Sequence, residues 1–127
     1  MNDTKYKTKK NLRHISIRKK TASRIFSTQV LYGASFSNCD IEILINSYLS
    51  NYLPSILNEL NLKDLDYELL NTIIKGAYNN ILKIDEIISK KLSKKWSLDR
   101  LSQTEKSVLR LATYELLFEK KFKKLVA

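Results

Sequence analysis

Apolar positions recur along this chain at intervals of three and four, the period of an amphipathic helix, and no stretch alternates apolar with polar residues as a half-buried strand does. The first such stripe, Ala22, Ile25, Phe26, Val30 and Leu31, predicts a helix from about Ile17 to Ser35 with those residues facing inward. Asp40 is placed to cap a second helix, whose inner face reads Ile41, Leu44, Ile45, Tyr48, Leu49 and Tyr52. Pro54 forces a break or a new start, and Ser55 to Leu60 fits a short third helix. Asp64 or Asp66 starts the fourth, which buries Leu69, Leu70, Ile73, Ile74, Ala77 and Ile81. The fifth opens at Asp85 and buries Ile84, Ile87, Ile88, Leu92 and Trp96. The sixth begins with a capping box, Ser102 with Glu105 three residues on. Val108, Leu109, Leu111, Ala112, Leu116 and Leu117 follow as a broad apolar stripe, with Arg110, Tyr114 and Glu115 as polar groups that need partners.

Composition supports this reading. A chain of 127 residues is one domain with a modest core, and with 2 Gly and 1 Pro it suits helices joined by short loops. There is no internal repeat. The single Cys39 excludes an intrachain disulfide and a multi-cysteine zinc site. No apolar run approaches a transmembrane span and the N-terminus has no signal-peptide core, so a cytoplasmic protein without a membrane partner is expected.

Charge adds a direction. Residues 1–24 hold nine Lys or Arg against Asp3, which is +8 of the formal +10. Such a concentration is the electrostatic footprint of a nucleic-acid binder, and on charge alone a solvated tail is an equal alternative. Met1 to Ile15 is polar and aperiodic and is expected to be a mobile basic tail, with residues 16–127 forming the helical domain. Arg18, Lys19, Lys20 and Arg24 lie where the first helix begins, so part of the charge is held on rigid structure. That favours nucleic acid.

Catalytic chemistry finds no footing. His14 is the only histidine, Cys39 has no residue nearby to lower its thiol pKa, and Gly33 and Gly76 are too far apart for a phosphate-binding loop. Asp64, Asp66, Asp85 and Glu86 read as helix-start residues that complement the macrodipole. No enzyme activity, cofactor or metal is expected. Lys and Arg contact phosphates, whereas reading single-stranded RNA needs aromatic faces or amides. Gln29, Tyr78, Asn79 and Asn80 are the candidates, although for each the structural alternative, a half-buried core ring for Tyr78 and a plain solvated helix face for Asn79 and Asn80, is the stronger reading of the residues alone.

The segment Leu109-Arg110-Leu111-Ala112-Thr113-Tyr114-Glu115-Leu116, preceded by Glu105-Lys106, resembles the LR-x-A-x-YEL signature of the NusB transcription-antitermination family. Further landmarks follow the family order: Gln29-Val30-Leu31-Tyr32 after a basic helix start, Gly76 with Ile84-Asp85 beyond it, and Trp96-Ser97-Leu98-Asp99-Arg100-Leu101 before the signature. The resemblance implies an all-α fold of two small helical subdomains, the second lacking the family's C-terminal helices, because this chain stops at Leu125-Val126-Ala127. Apolar faces of helices four to six would then lie open.

The resemblance also implies binding of boxA RNA in rRNA transcripts together with NusE, a small-subunit ribosomal protein, in the service of the RNA polymerase elongation complex. Lys20 and Arg24 would face RNA, and Tyr32 and Glu105 would face NusE. This chain departs from the family at Thr21 and Ala22, where further Arg is common, and at Lys123, where a Pro is usual. Two other readings stay open from sequence: a detached NusB-like RNA-binding domain of an rRNA cytosine methyltransferase, and a non-catalytic helical adaptor or degenerate fragment.

Overall fold

A computed structural model describes residues 2–92 and 97–118, with side chains from Ile15 onward except that of Ser16. Its elements are α1 (Asn2–Ala34), α2 (Ile41–Asn51), α3 (Leu53–Leu60), α4 (Tyr67–Asn79), α5 (Ile81–Lys91), a 3-10 turn (Leu98–Arg100) and α6 (Gln103–Leu117). The described residues contain no strand, and the protein is all-α. Trp96 and residues 119–127 lie outside them.

Local signals set most of the helix ends. The Glu42 N–H donates to Asp40 Oδ1 (2.8 Å) and the Leu69 N–H to Asp66 Oδ1 (3.0 Å), so Asp66 rather than Asp64 caps α4. Pro54 sits in the first turn of α3, where its missing N–H costs nothing. Two boundaries differ from expectation. Helix α1 starts at Asn2, because nothing between there and Ile17 breaks it: no Gly or Pro, and several Lys. Helix α5 starts at Ile81, so Asp85 is not a helix-start residue but lies mid-helix.

The helices enclose two apolar clusters. One joins Ala22, Phe26 and Val30 of α1 to Ile41 and Ile45 of α2, Leu65, and Leu70 and Ile74 of α4. The other joins Leu31 of α1 to Ile73 and Ala77 of α4, Ile84 and Ile88 of α5, and Leu111 of α6. The two-subdomain architecture is thus present, with α1 and α4 common to both halves. Tyr78 packs against both clusters.

Small polar residues bring α1 and α4 together. Ser23 and Ser27 are fully buried. Ser23 Oγ donates to the Lys19 carbonyl (2.7 Å) and accepts from the Asp66 N–H (2.8 Å), which pins the start of α4 to α1. Ile25, expected inside, is displaced from the core by this serine face and is 45 % exposed. Tyr52 is also outside the core, at the end of α2.

The stripe on α6 is wider than its neighbours can cover. Leu111 is buried, whereas Val108, Leu116 and Leu117 are exposed. Leu116 and Leu117 join Ile87, Leu92 and Leu109 in an apolar groove between α5 and α6.

Candidate nucleic-acid and partner interface

The polar residues of α6 find their partners across the fold. Arg24 Nε donates to both oxygens of Glu115 (2.9 and 3.0 Å), and Nη2 lies 2.8 Å from Oε1. Glu115 is buried on α6, while the Arg24 side chain is 39 % exposed. Arg110 Nε and Nη2 donate to the two oxygens of Asp85, each at 2.8 Å, in a bidentate pair that ties α6 to α5. Gly76 on α4 lies under the ring of Tyr114, where a methyl group would run into it. Tyr114 stacks in turn on Phe118 with centroids 5.7 Å apart. These contacts explain why an Arg, a Tyr and a Glu occur within one apolar helix.

At the start of α6 the expected capping box is formed. The Ser102 N–H donates to Glu105 Oε1 and the Glu105 N–H to Ser102 Oγ, both at 3.1 Å. The Ser102 N–H, and after it the Ser102 hydroxyl, hold the Glu105 carboxyl below the usual glutamate range, so it is ionised at neutral pH.

The basic start of α1 is partly committed to the fold. The Arg18 guanidinium donates to the Leu60 carbonyl. Lys19 Nζ lies 2.7 Å from Asp64 Oδ1, in a pair exposed enough to exchange with other charges. Lys20 is exposed and makes no ion pair among the described residues. Arg24 is clamped by Glu115 and is not a free cation on this face.

The amide and aromatic candidates lie elsewhere. Gln29 is exposed on α1, and Asn79 is exposed at the end of α4. Asn80 donates through Nδ2 to the Gly76 carbonyl (2.8 Å), and Tyr78 is half-buried in the core. Tyr78 borders Ala34 and Ser35. At 1.5 Å per residue, Ala34 is about 21 Å along α1 from Lys20. The structure therefore does not gather the candidates into one pocket. It spreads them from the basic end of α1 towards the junction of α4 and α5.

Tyr32 does approach the start of α6. It lines a cleft with Thr28 and Gln29 of α1, Tyr48 of α2, Tyr52 at the C-cap of α2, and Thr104, the residue before Glu105. The α2 tyrosines were legible in the sequence only as core positions. Among the described residues no three His, Cys, Asp or Glu side chains converge as metal ligands, and no helix is long and apolar enough to cross a membrane.

Residues 21–127 match the NusB family. The transcription antitermination protein NusB of Clostridium botulinum (strain Alaska E43 / Type E3) is 34 % identical over 105 residues, covering 83 % of this chain and 74 % of that protein. The NusB of Sphingopyxis alaskensis is 29 % identical over 98 residues, 77 % of this chain and 66 % of the relative. That of Thermotoga maritima is 60 % identical over a shorter stretch of 47 residues, 37 % of this chain and 32 % of the relative. The matched segment thus spans two thirds to three quarters of the first two relatives. No solved structure matches the chain.

Proposed function

The chain belongs to the NusB family, and from that premise we propose that it is a transcription antitermination factor that binds the boxA element of rRNA transcripts together with NusE. The pair so formed would act on the RNA polymerase elongation complex. One observation carries the reading: the family landmarks interlock in space. Asp85 holds Arg110, Glu115 holds Arg24, and Gly76 receives Tyr114. Helix α6 thereby grips the basic part of α1 at one end and at the other places Thr104, the residue before Glu105, in the cleft that Tyr32 lines.

In this scheme Lys20 contributes a free phosphate contact, and Arg18 and Lys19 add charge from residues already engaged with the fold. Gln29 and Asn79 offer exposed amides to base edges, with Asn80 beside them. A single strand of a few nucleotides bridges the distance between these groups. Tyr32 and Glu105 serve the protein partner.

Fluorescence anisotropy with a boxA RNA and a scrambled control, with and without NusE, tests the proposal. Binding is expected to prefer boxA and to tighten when NusE is present. With about five phosphates neutralised, log K should fall against log salt with a slope of roughly −3.5. A slope near zero, or equal affinity for the scrambled RNA in the presence of NusE, would refute it.

A further inference from the structure

The cleft between α1, α2 and the start of α6 has no part in the basic surface. Tyr48 forms its floor. Its ring stands edge-on to buried Phe26, with centroids 6.4 Å apart, and its hydroxyl end closes over Gly33. Tyr52 forms one wall, 5.0 Å from Tyr48 and 53 % exposed. Tyr32 forms the other at 40 % exposure, and its ring continues to Phe36, 5.0 Å away and 67 % exposed. Tyr32, Tyr48 and Tyr52 thus share one open cleft, with Phe36 against Tyr32 outside it. Aromatic side chains give large contact area at low entropic cost, and tyrosine is enriched among residues that dominate interface energy.

We propose that Tyr48 of α2 and Tyr52 at its C-cap complete, with Tyr32, a docking cleft for an extended segment of a protein partner. That segment presents an aliphatic or planar side chain to the rings and a Lys or Arg to Glu105. The inference rests on the partner-binding reading above and extends the surface to a helix which that reading does not use.

Charge separates this occupant from RNA, since stacked bases would also suit tyrosine rings. No Lys or Arg lines the cleft. The residue that follows Thr104 of its lining is Glu105, whose ionised carboxylate uses Oε1 for the cap, leaving Oε2 for a cation. A phosphate backbone in the cleft would meet that carboxylate, whereas a basic peptide is drawn to it. The free cation Lys20 lies about 18 Å away along α1, measured to Tyr32. Hydroxyls of Thr28 and Thr104 supply edges that bond a peptide backbone, and Gln29, at the border of the cleft, stays with the RNA face.

The test uses the full chain with NusE as the probe in isothermal titration calorimetry, and single-stranded boxA RNA alone as a parallel ligand. Tyr52→Ala should weaken NusE binding roughly tenfold or more, as expected of an interface anchor. RNA affinity should be unchanged. Ile43→Ala, on the opposite exposed face of α2, should leave both affinities at the wild-type value. Tyr52→Gln serves as a second variant if Tyr52→Ala lowers the melting temperature. If both Tyr52 variants keep wild-type NusE affinity while Tyr32→Ala loses it, the partner does not reach α2 and the inference falls alone. Loss of RNA affinity in the Tyr52 variants, with NusE binding intact, would make the cleft a base-stacking site and overturn it. Failure of the wild-type chain to bind NusE overturns both the inference and the partner reading.

Discussion

Replacing Arg24 should cost more stability than replacing its partner Glu115, although the same ion pair is lost in each case. Glu115 keeps only 11 % of its side-chain surface in water, and its two oxygens accept from Arg24 alone among the hydrogen bonds of the described residues. Arg24→Met retains the aliphatic stem and leaves that carboxylate buried without a donor. Stranding a fully buried charge costs about 3–5 kcal/mol. The open side of this pair, where Arg24 is 39 % exposed, lets water relax the site, so about 2–3 kcal/mol is expected here. Glu115→Gln instead leaves a guanidinium that can turn to solvent, and should cost about 1 kcal/mol, the ordinary worth of a hydrogen bond. For a domain of this size the first change lowers the melting temperature by roughly 10 °C and the second by a few degrees. The double variant should be less destabilised than the sum of the two, because its second change removes the stranded charge. Urea titrations followed by circular dichroism give all three values. Equal costs for the single variants, or strict additivity in the double, would show that burial of Glu115 does not govern the pair.

Three further outcomes follow from the same geometry. In the Asp85–Arg110 pair the more buried partner is the arginine, with 11 % of its side chain exposed against 23 %, so Asp85→Asn should destabilise more than Arg110→Met in the same urea assay. Gly76→Ala should lower stability by about 1–3 kcal/mol through overpacking against Tyr114, and in a Tyr114→Ala background the same change should cost almost nothing; an equal cost in both backgrounds would place the strain elsewhere. The Glu105 carboxyl is depressed in the folded state, so its contribution is present above the unfolded glutamate pKa and is lost as pH falls through the lower folded value. Carboxyl NMR should show its midpoint rising only part of the way towards the ordinary range in Ser102→Ala, because the backbone N–H at position 102 remains, and no movement would mean that the hydroxyl adds nothing to the shift.

Features encoded within one turn of helix were legible in the sequence. The box of Ser102 and Glu105, the Asp40 cap and the break at Pro54 each depend on residues at most a few positions apart. Long-range pairing was not. Glu115 could be recognised as a polar group needing a partner, but Arg24 stands 91 positions away and nothing local marks it as that partner. Asp85 read as a helix start because its structural role depends on Arg110, a residue 25 positions later. Hydrophobic periodicity placed Ile25 inside, since it is blind to the small hydroxyl residues that let α4 approach on the Ser23 side. The cleft was hidden for a related reason. Tyr48 and Tyr52 occupy helical core positions by spacing, and only the ending of α2 at Asn51 turns the second ring outward.

Because α1 and α4 contribute to both apolar clusters and Tyr78 touches each, neither half of the molecule can open alone without exposing part of the other. Amide protons of Phe26, Val30, Leu31, Ile73 and Ile74 are therefore expected to exchange with solvent through global unfolding, and those of α2–α3 and α5 through smaller openings. A ligand on α1 draws on this arrangement wherever it binds. RNA at Lys20 and a protein at Tyr32 would each favour the same closed frame by mass action, so binding of one reduces the ordering cost left to the other. Synergy between two ligands some 18 Å apart on one helix then requires no change of shape, only a frame that opens as a single unit.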